Sequence, residues 1–161
     1  MTDFDALLAV LGRHEVAFIV VGGAAAIAHG SARLTQDLDI VYERSPANLD
    51  RLVAALIHIE PYLRGVPPGL PFVWDRPTLA RGLNFTLVTS LGDIDLFGEI
   101  PGGGDYKDLV VGAIELHVFG TRCLCLSLSQ LKRAKRAAGR PKDLEALAEL
   151  EAIEEESGGH K

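Results

Sequence analysis

Cysteine is scarce in this chain, and the two that occur, Cys123 and Cys125, come without the His or Cys cluster that would complete a tetrahedral zinc site. Their C-x-C spacing within an alternating strand puts both on one face, where they read as small buried apolar residues, and free thiols fit a reducing compartment. His14, His29, His58, His117 and His160 are scattered without ligand spacing. An excess of positive charge is also missing. Sixteen basic residues against 22 acidic ones leave a formal charge of −6, which excludes a protein that coats nucleic acid over its whole surface. No apolar run is long enough to span a membrane, and the chain is expected to make no membrane contact. The stretch from Val16 to Ala28 imitates a signal peptide, but Asp3, Asp5 and Glu15 stand where a basic leader is required, so a cytoplasmic protein is expected. No internal repeat points to a solenoid.

What remains is a chain of 161 residues with 48% apolar content, enough for one compact domain with a small helical extension. Phe4, Leu7, Leu8 and Leu11 share one helical face, with Gly12 closing that helix. Ala17 to Val21 reads as a strand that ends at Gly22-Gly23 and passes into the helix-prone Ala24 to Ala28. Leu38 to Tyr42 is a second strand. Ser45 and Pro46 then supply an N-cap and a first-turn proline for a helix through about Ile57, with Leu49, Leu52, Val53 and Leu56 as its apolar face. From Pro61 to Pro77, five prolines, two glycines and the only Trp show no period, and a long irregular excursion is expected. Leu83 to Thr89 and Ile94 to Phe97 read as a hairpin joined at Leu91-Gly92-Asp93. Gly102-Gly103-Gly104 predicts a mobile segment, and Val110 to Leu126 a last pair of strands broken at Gly120-Thr121. Ser127 or Ser129 caps a following helix. The fold class expected is α+β, a small mixed sheet flanked by helices.

The chemistry concentrates in two motifs. In a strand alternate side chains share a face, so Asp37 and Asp39 point together while Leu38 and Ile40 face the core. Paired carboxylates repel unless a cation lies between them, and hard divalent ions take oxygen ligands that they share with substrate phosphates. A strand-borne Asp-x-Asp is therefore a place to hold a nucleoside triphosphate. Upstream, Gly22-Gly23 lets the backbone come close to phosphate, with the free N–H groups of the helix beginning near Ala24 as donors.

Charge is uneven near the end of the chain. Lys132, Arg133, Lys135, Arg136, Arg140 and Lys142 are six of the sixteen basic residues, all within eleven positions. Gly139-Arg140-Pro141 separates them from an acidic helix, Asp143 to Glu156, whose stripe of Leu144, Leu147, Leu150 and Ile153 must pack on something. Ser157-Gly158-Gly159 is expected to fray.

Taken together these residues resemble the minimal nucleotidyltransferases of the DNA polymerase β superfamily, whose pattern is an apolar strand, Gly-Gly or Gly-Ser, a spacer, Asp-x-Asp and a later third carboxylate. Thirteen residues separate Gly23 from Asp37, and Arg33-x-Thr35-x-Asp37-Leu38-Asp39-Ile40 is similar to the R-x-T-x-D-L-D-I run of bacterial members. Leu128-x-x-Leu131-Lys132 and the Gly139 to Leu144 segment resemble the C-terminal helices of the AbiEii-like, toxin–antitoxin-associated branch. The excursion from Pro61 to Pro77 matches nothing in that pattern.

The resemblance implies a polymerase β-like core over residues 1–126 with a helical extension over 127–157. It implies catalytic and metal-binding roles for Asp37, Asp39 and Asp95, with two Mg²⁺ ions, or Mn²⁺, as cofactors. Asp93 shares a strand face with Asp95 and stands as the alternative third acid. Gly22, Gly23, Arg33, Thr35, Lys132 and Lys135 would contact the nucleotide; a solvated basic helix face is the alternative for the lysines. The implied activity moves an NMP from an NTP to a hydroxyl acceptor, which is an RNA 3′ end, a protein side chain or a small molecule. A cognate toxin or antitoxin is an implied partner. The competing expectation is a transferase-like module that binds nucleotide or a partner without catalysis.

Overall fold

In a computed structural model, which describes residues 1–158, the N-terminal helix α1 (Phe4–Arg13) begins at Asp3, whose carboxylate accepts the Ala6 N–H at 3.0 Å. Leu7, Leu8 and Leu11 are fully buried on its inner face, and the helix runs one residue past Gly12. Strand β1 (Phe18–Val21) is buried along its whole length and leads directly into the short helix α2 (Gly22–Ala28). Strand β2 (Asp37–Tyr42) follows, then helix α3 (Pro46–Leu56), capped by the Ser45 hydroxyl as its sequence requires.

The proline-rich excursion contains more order than its composition suggests. Tyr62–Leu63 forms a two-residue strand β3, and Arg76–Arg81 forms helix α4, capped by Asp75. Between them Tyr62, Phe72 and Trp74 make a ladder of ring contacts, and the Trp74 indole donates to the Val53 carbonyl at 3.1 Å. The aromatic rings supply the burial that a proline-rich backbone cannot obtain from regular hydrogen bonding.

Strands β4 (Phe85–Thr89) and β5 (Gly92–Phe97) form the expected hairpin, with Ser90-Leu91 at its turn. The glycine run is structured as well. Glu99–Ile100 (β6) pairs with Gly104–Asp105 (β7), and Asp105 opens helix α5 (Tyr106–Val110) through a reciprocal capping box with Asp108. Strands β8 (Ile114–Val118) and β9 (Thr121–Cys125) meet at Phe119-Gly120, both at positive φ. Helix α6 (Leu128–Ala138) is capped by Ser127 and ends at the left-handed Gly139; helix α7 (Pro141–Gly158) then packs against it. The helix therefore includes Ser157 and Gly158, where fraying was expected; Gly159 and His160 lie outside the described residues. No helix among the described residues is long and apolar enough to cross a membrane.

Seven strands form one mixed sheet in the order β3-β4-β5-β2-β1-β9-β8. β2 runs antiparallel to β1 and parallel to β5, and β1 also pairs parallel with β9. Leu38, Ile40, Ile94, Leu96 and Leu87 are fully buried on the sheet, and the same core takes in Leu131 of α6 and Leu150 of α7. On α7 the expected stripe is only partly used: Leu150 is buried, while Leu144 is 52% exposed. The buried Cys125 and half-buried Cys123 point inward from β9, and burial pushes their thiols up to about 12 and about 11.

One buried side chain holds the frame of the central strands. Asn48, fully buried at the start of α3, accepts the Ala17 N–H at 2.7 Å and donates to the Ala17 and Glu43 carbonyls at 3.0 and 2.7 Å. It ties the entrance of β1 to the exit of β2. Asn48→Ala should cost about 3 kcal/mol in urea unfolding, because it leaves backbone groups buried and unpaired.

Candidate active site

Cross-strand register sets the site. Val21 lies opposite Asp39, and in the parallel β2–β5 ladder Asp39 pairs with Asp95 while Asp37 pairs with Asp93. Residues paired across strands share a face, so four carboxylates stand together on two adjacent strands. One oxygen each from Asp37, Asp39 and Asp95 fall within 4.8 Å of one another. Asp93 is on the same face but outside that group.

The two glycines are explained by what stands beside them. Gly22 has φ +63°, and a Cβ there would collide with the Asp39 carboxylate. A Cβ on Gly23 would lie 2.6 Å from Thr35 Oγ1. Thr35 in turn donates its hydroxyl to the Asp37 carbonyl at 3.2 Å. The Gly-Gly turn thus lets the first residues of α2 close onto the Asp-x-Asp strand.

Burial and like charge act on these acids together. Asp39 is pushed up to about 8, first by desolvation and then by Asp95 and Asp37, with Lys135 opposing. Asp37 is raised by burial and by Asp95, against the pull of Arg64. Asp39 Oδ1 is buried with no hydrogen-bond partner among the described residues. A convergent set of hard oxygen donors with an orphaned buried oxygen fits a divalent cation such as Mg²⁺ or Mn²⁺.

Arg64 is the residue that the sequence did not reveal. It follows β3, and its N–H donates to the Thr86 carbonyl at 2.9 Å, which continues the β3–β4 ladder by one position. Thr86 is opposite Asp95, so Val21, Asp39, Asp95, Thr86 and Arg64 form one row across five strands. From that row the guanidinium reaches Asp95 at 2.7 Å, Asp93 at 3.4 Å and Asp37 at 3.7 Å. Tyr62-Leu63-Arg64 is too short a strand to declare itself, and its pairing partner lies beyond helix α4.

The remaining sequence-predicted residues divide. Arg33, Thr35, Gly22, Gly23, Lys135, Arg140 and Lys142 line a polar cleft of about 300 Å³ that has Asp39 in its wall. Arg33 faces Glu145 and Glu149 of α7 at 3.9 and 3.6 Å. Lys132 is turned away, paired with Glu154 at 2.7 Å. Arg136 pairs with Glu151, and both Lys135 and Arg140 pair with Asp143, so four of the six clustered basic residues are matched by acids of α7. Next to the cleft, Phe97, Ile100, Leu126, Leu131 and Ala134 line an apolar hollow of about 210 Å³ that shares Gly22, Asp39 and Lys135 with it. His29 is structural: its Nε2 lies 2.7 Å from the Leu126 carbonyl, which makes it the donor there.

No protein-family model matches this chain, and no curated protein matches it in sequence. Among solved structures, the lincomycin-bound lincosamide antibiotic adenylyltransferase LnuA is similar, with a TM-score of 0.57 at 16% identity, over 94% of this chain and 98% of that one. The mixed sheet with its flanking helices thus shares the α+β fold of that adenylyltransferase.

Two outcomes follow from the packing. Gly22→Ala should weaken Mn²⁺ binding by about tenfold or more, because the new methyl group displaces the Asp39 carboxylate; equilibrium dialysis against Mn²⁺ reads this directly. The second concerns Asp143, only 1% exposed, whose carboxyl is held below its usual range first by the Arg140 hydrogen bond and further by Lys135. A depressed folded-state value means stability present above the ordinary aspartate range and lost as pH falls through the folded value. Asp143→Asn should therefore cost about 1–3 kcal/mol at pH 7, and the gap to the parent should shrink when denaturation is repeated near pH 3.

Proposed function

We propose that this protein is a metal-dependent nucleotidyltransferase that moves an NMP from an NTP to a hydroxyl of a small-molecule acceptor. The observation that carries the reading is the convergence of Asp37, Asp39 and Asp95 beside the Gly22-Gly23 turn. In this reading residues 1–126 form the catalytic core and 127–157 an extension that walls the cleft. The triphosphate lies in the polar cleft, where Lys142 offsets its charge together with Arg33, Lys135 and Arg140, which share theirs with Glu149 and Asp143 of the same wall. Gly22, Gly23 and Thr35 set how closely its oxygens approach the strand.

Asp37, Asp39 and Asp95 would hold a pair of divalent ions, Mg²⁺ or Mn²⁺, which activate the attacking oxygen and neutralise the leaving one. Asp95 takes the proton of the acceptor hydroxyl. The hydroxyl oxygen bonds to the α-phosphorus, the bond to the bridging oxygen breaks, and pyrophosphate leaves. Lys132, held by Glu154, is not needed for this chemistry.

Two observations favour a small acceptor over RNA. The basic segment is largely ion-paired with α7, and the hollow beside Asp39 offers apolar surface to a ring system. The structurally similar adenylyltransferase holds lincomycin, which agrees with this choice. The AbiEii-like branch and its toxin or antitoxin partner rest on the residue pattern of the two C-terminal helices alone. A second reading does have one: Arg64 bonded into the acids is what a purely structural charge network would show, as in a module that binds without catalysis.

With α-labelled NTPs, Mg²⁺ and a panel of hydroxylated small molecules, label should enter a low-mass product with release of pyrophosphate. Asp39→Ala should lower that rate about a hundredfold or more. Label in RNA or protein instead would move the acceptor. No transfer to any acceptor class would leave the binding module.

A further inference from the structure

We infer that Arg64 is a resident counter-cation of the acid cluster, occupying it in place of metal, so that metal loading requires the guanidinium to withdraw. This rests on the reading of Asp37, Asp39 and Asp95 as metal ligands. It adds a control on that site.

The placement follows from the sheet. Arg64 is fixed at the backbone by its N–H bond to Thr86, in the same row as Asp95 and Asp39, so its side chain must cross the exposed Thr86 to reach the acids. Nη2 lies 2.7 Å from Asp95 Oδ1, Nη1 lies 3.7 Å from Asp37 Oδ2, and Nε lies 3.4 Å from Asp93 Oδ2. Nη2 also donates to the Leu87 carbonyl at 2.8 Å. One cation thus serves three carboxylates on two strands.

The fit is incomplete. A guanidinium often pairs with a carboxylate through two parallel hydrogen bonds. Here Arg64 Nε and Asp95 Oδ1 are both buried without an aligned hydrogen bond, close as Nη2 and Asp95 are, and Asp39 Oδ1 is left with no partner. Arg64 offsets the charge of the acids, while its Nε donor and the Asp39 and Asp95 Oδ1 acceptors find no aligned hydrogen bond among the described residues.

The two cations compete for the same acids. A divalent ion sits about 2.0–2.6 Å from its carboxylate oxygens. Oxygens of Asp37 and Asp95 that already face Nη1 and Nη2 cannot take it while the guanidinium stays, because like charges would meet at contact. Withdrawal needs no rearrangement of the core. The Arg64 side chain is 27% exposed, and the residues after it, Gly65 and Pro67 to Leu70, are exposed. A nucleotide brings negative charge to the same spot, so metal and NTP loading become coupled, with Arg64 as the penalty on metal alone.

The test is Mn²⁺ binding without nucleotide or acceptor, read by the paramagnetic resonance of free Mn²⁺. R64Q should bind Mn²⁺ about tenfold or more tightly than the parent, the size of one released charge-assisted contact. R64K, which keeps the charge but cannot span three acids, should fall between and serves if R64Q does not fold. The metal-free melting temperature of R64Q should drop, and its rise on adding Mn²⁺ should exceed the parent's. Equal or weaker Mn²⁺ binding by R64Q, with the parent binding normally, overturns the inference and leaves the transferase reading intact. If neither protein binds Mn²⁺, or if D39N made in the R64Q background leaves binding unchanged, the metal-site reading falls and the inference with it.

Discussion

Mutual repulsion among carboxylates on β2 and β5 is the constraint to which the rest of this structure answers. Two like charges 4 Å apart cost roughly 4 kcal/mol at an effective dielectric near that of a protein surface. Parallel register sets Asp39 beside Asp95 and Asp37 beside Asp93, so the sheet cannot relieve this by sliding without turning Leu38, Ile40, Ile94 and Leu96 out of the core. The hydrophobic face holds the acids together. Their charge must then be met by a proton, a guanidinium or a metal ion.

Several unusual local choices are consequences of that demand. Gly22 gives up a side chain so that α2 can begin against the Asp39 carboxylate, and Gly23 makes room for Thr35. Arg64 arrives from the outermost strand of the sheet. Lys135 and Arg140 are gathered by the buried Asp143, which keeps them on the cleft wall beside Asp39, while Glu154 and Glu151 of α7 take Lys132 and Arg136.

Most of the frame was legible in the sequence because local rules and global packing agree there. Ser45-Pro46 and Ser127 start helices where they should, and Asp37-x-Asp39 alternates as a half-buried strand must. Legibility failed where order comes from partners distant in sequence. The Pro61 to Pro77 excursion looked irregular because its order rests on ring contacts and on a ladder to β4, neither of which has a period. Asp95 and Asp93 could not be separated by spacing; the burial of Asp95 and its approach to Asp37 and Asp39 distinguish them. That four of the six basic residues pair with α7 was not legible either, because pairing between successive helices cannot be read from composition.

Parallel pairing of β1 with β9 brings the last strand of the sheet beside one of the first, and α6 and α7 then close over Gly22 and Asp39. Contacts this distant in sequence form late, since chain closure is entropically costly before they can contribute. On a ribosome the acids of β2 and β5 would emerge and pair well before Lys135 and Asp143 exist to face them. The cleft therefore matures after the sheet, and a nascent chain would present the sheet and its acids with no pocket until α7 is complete.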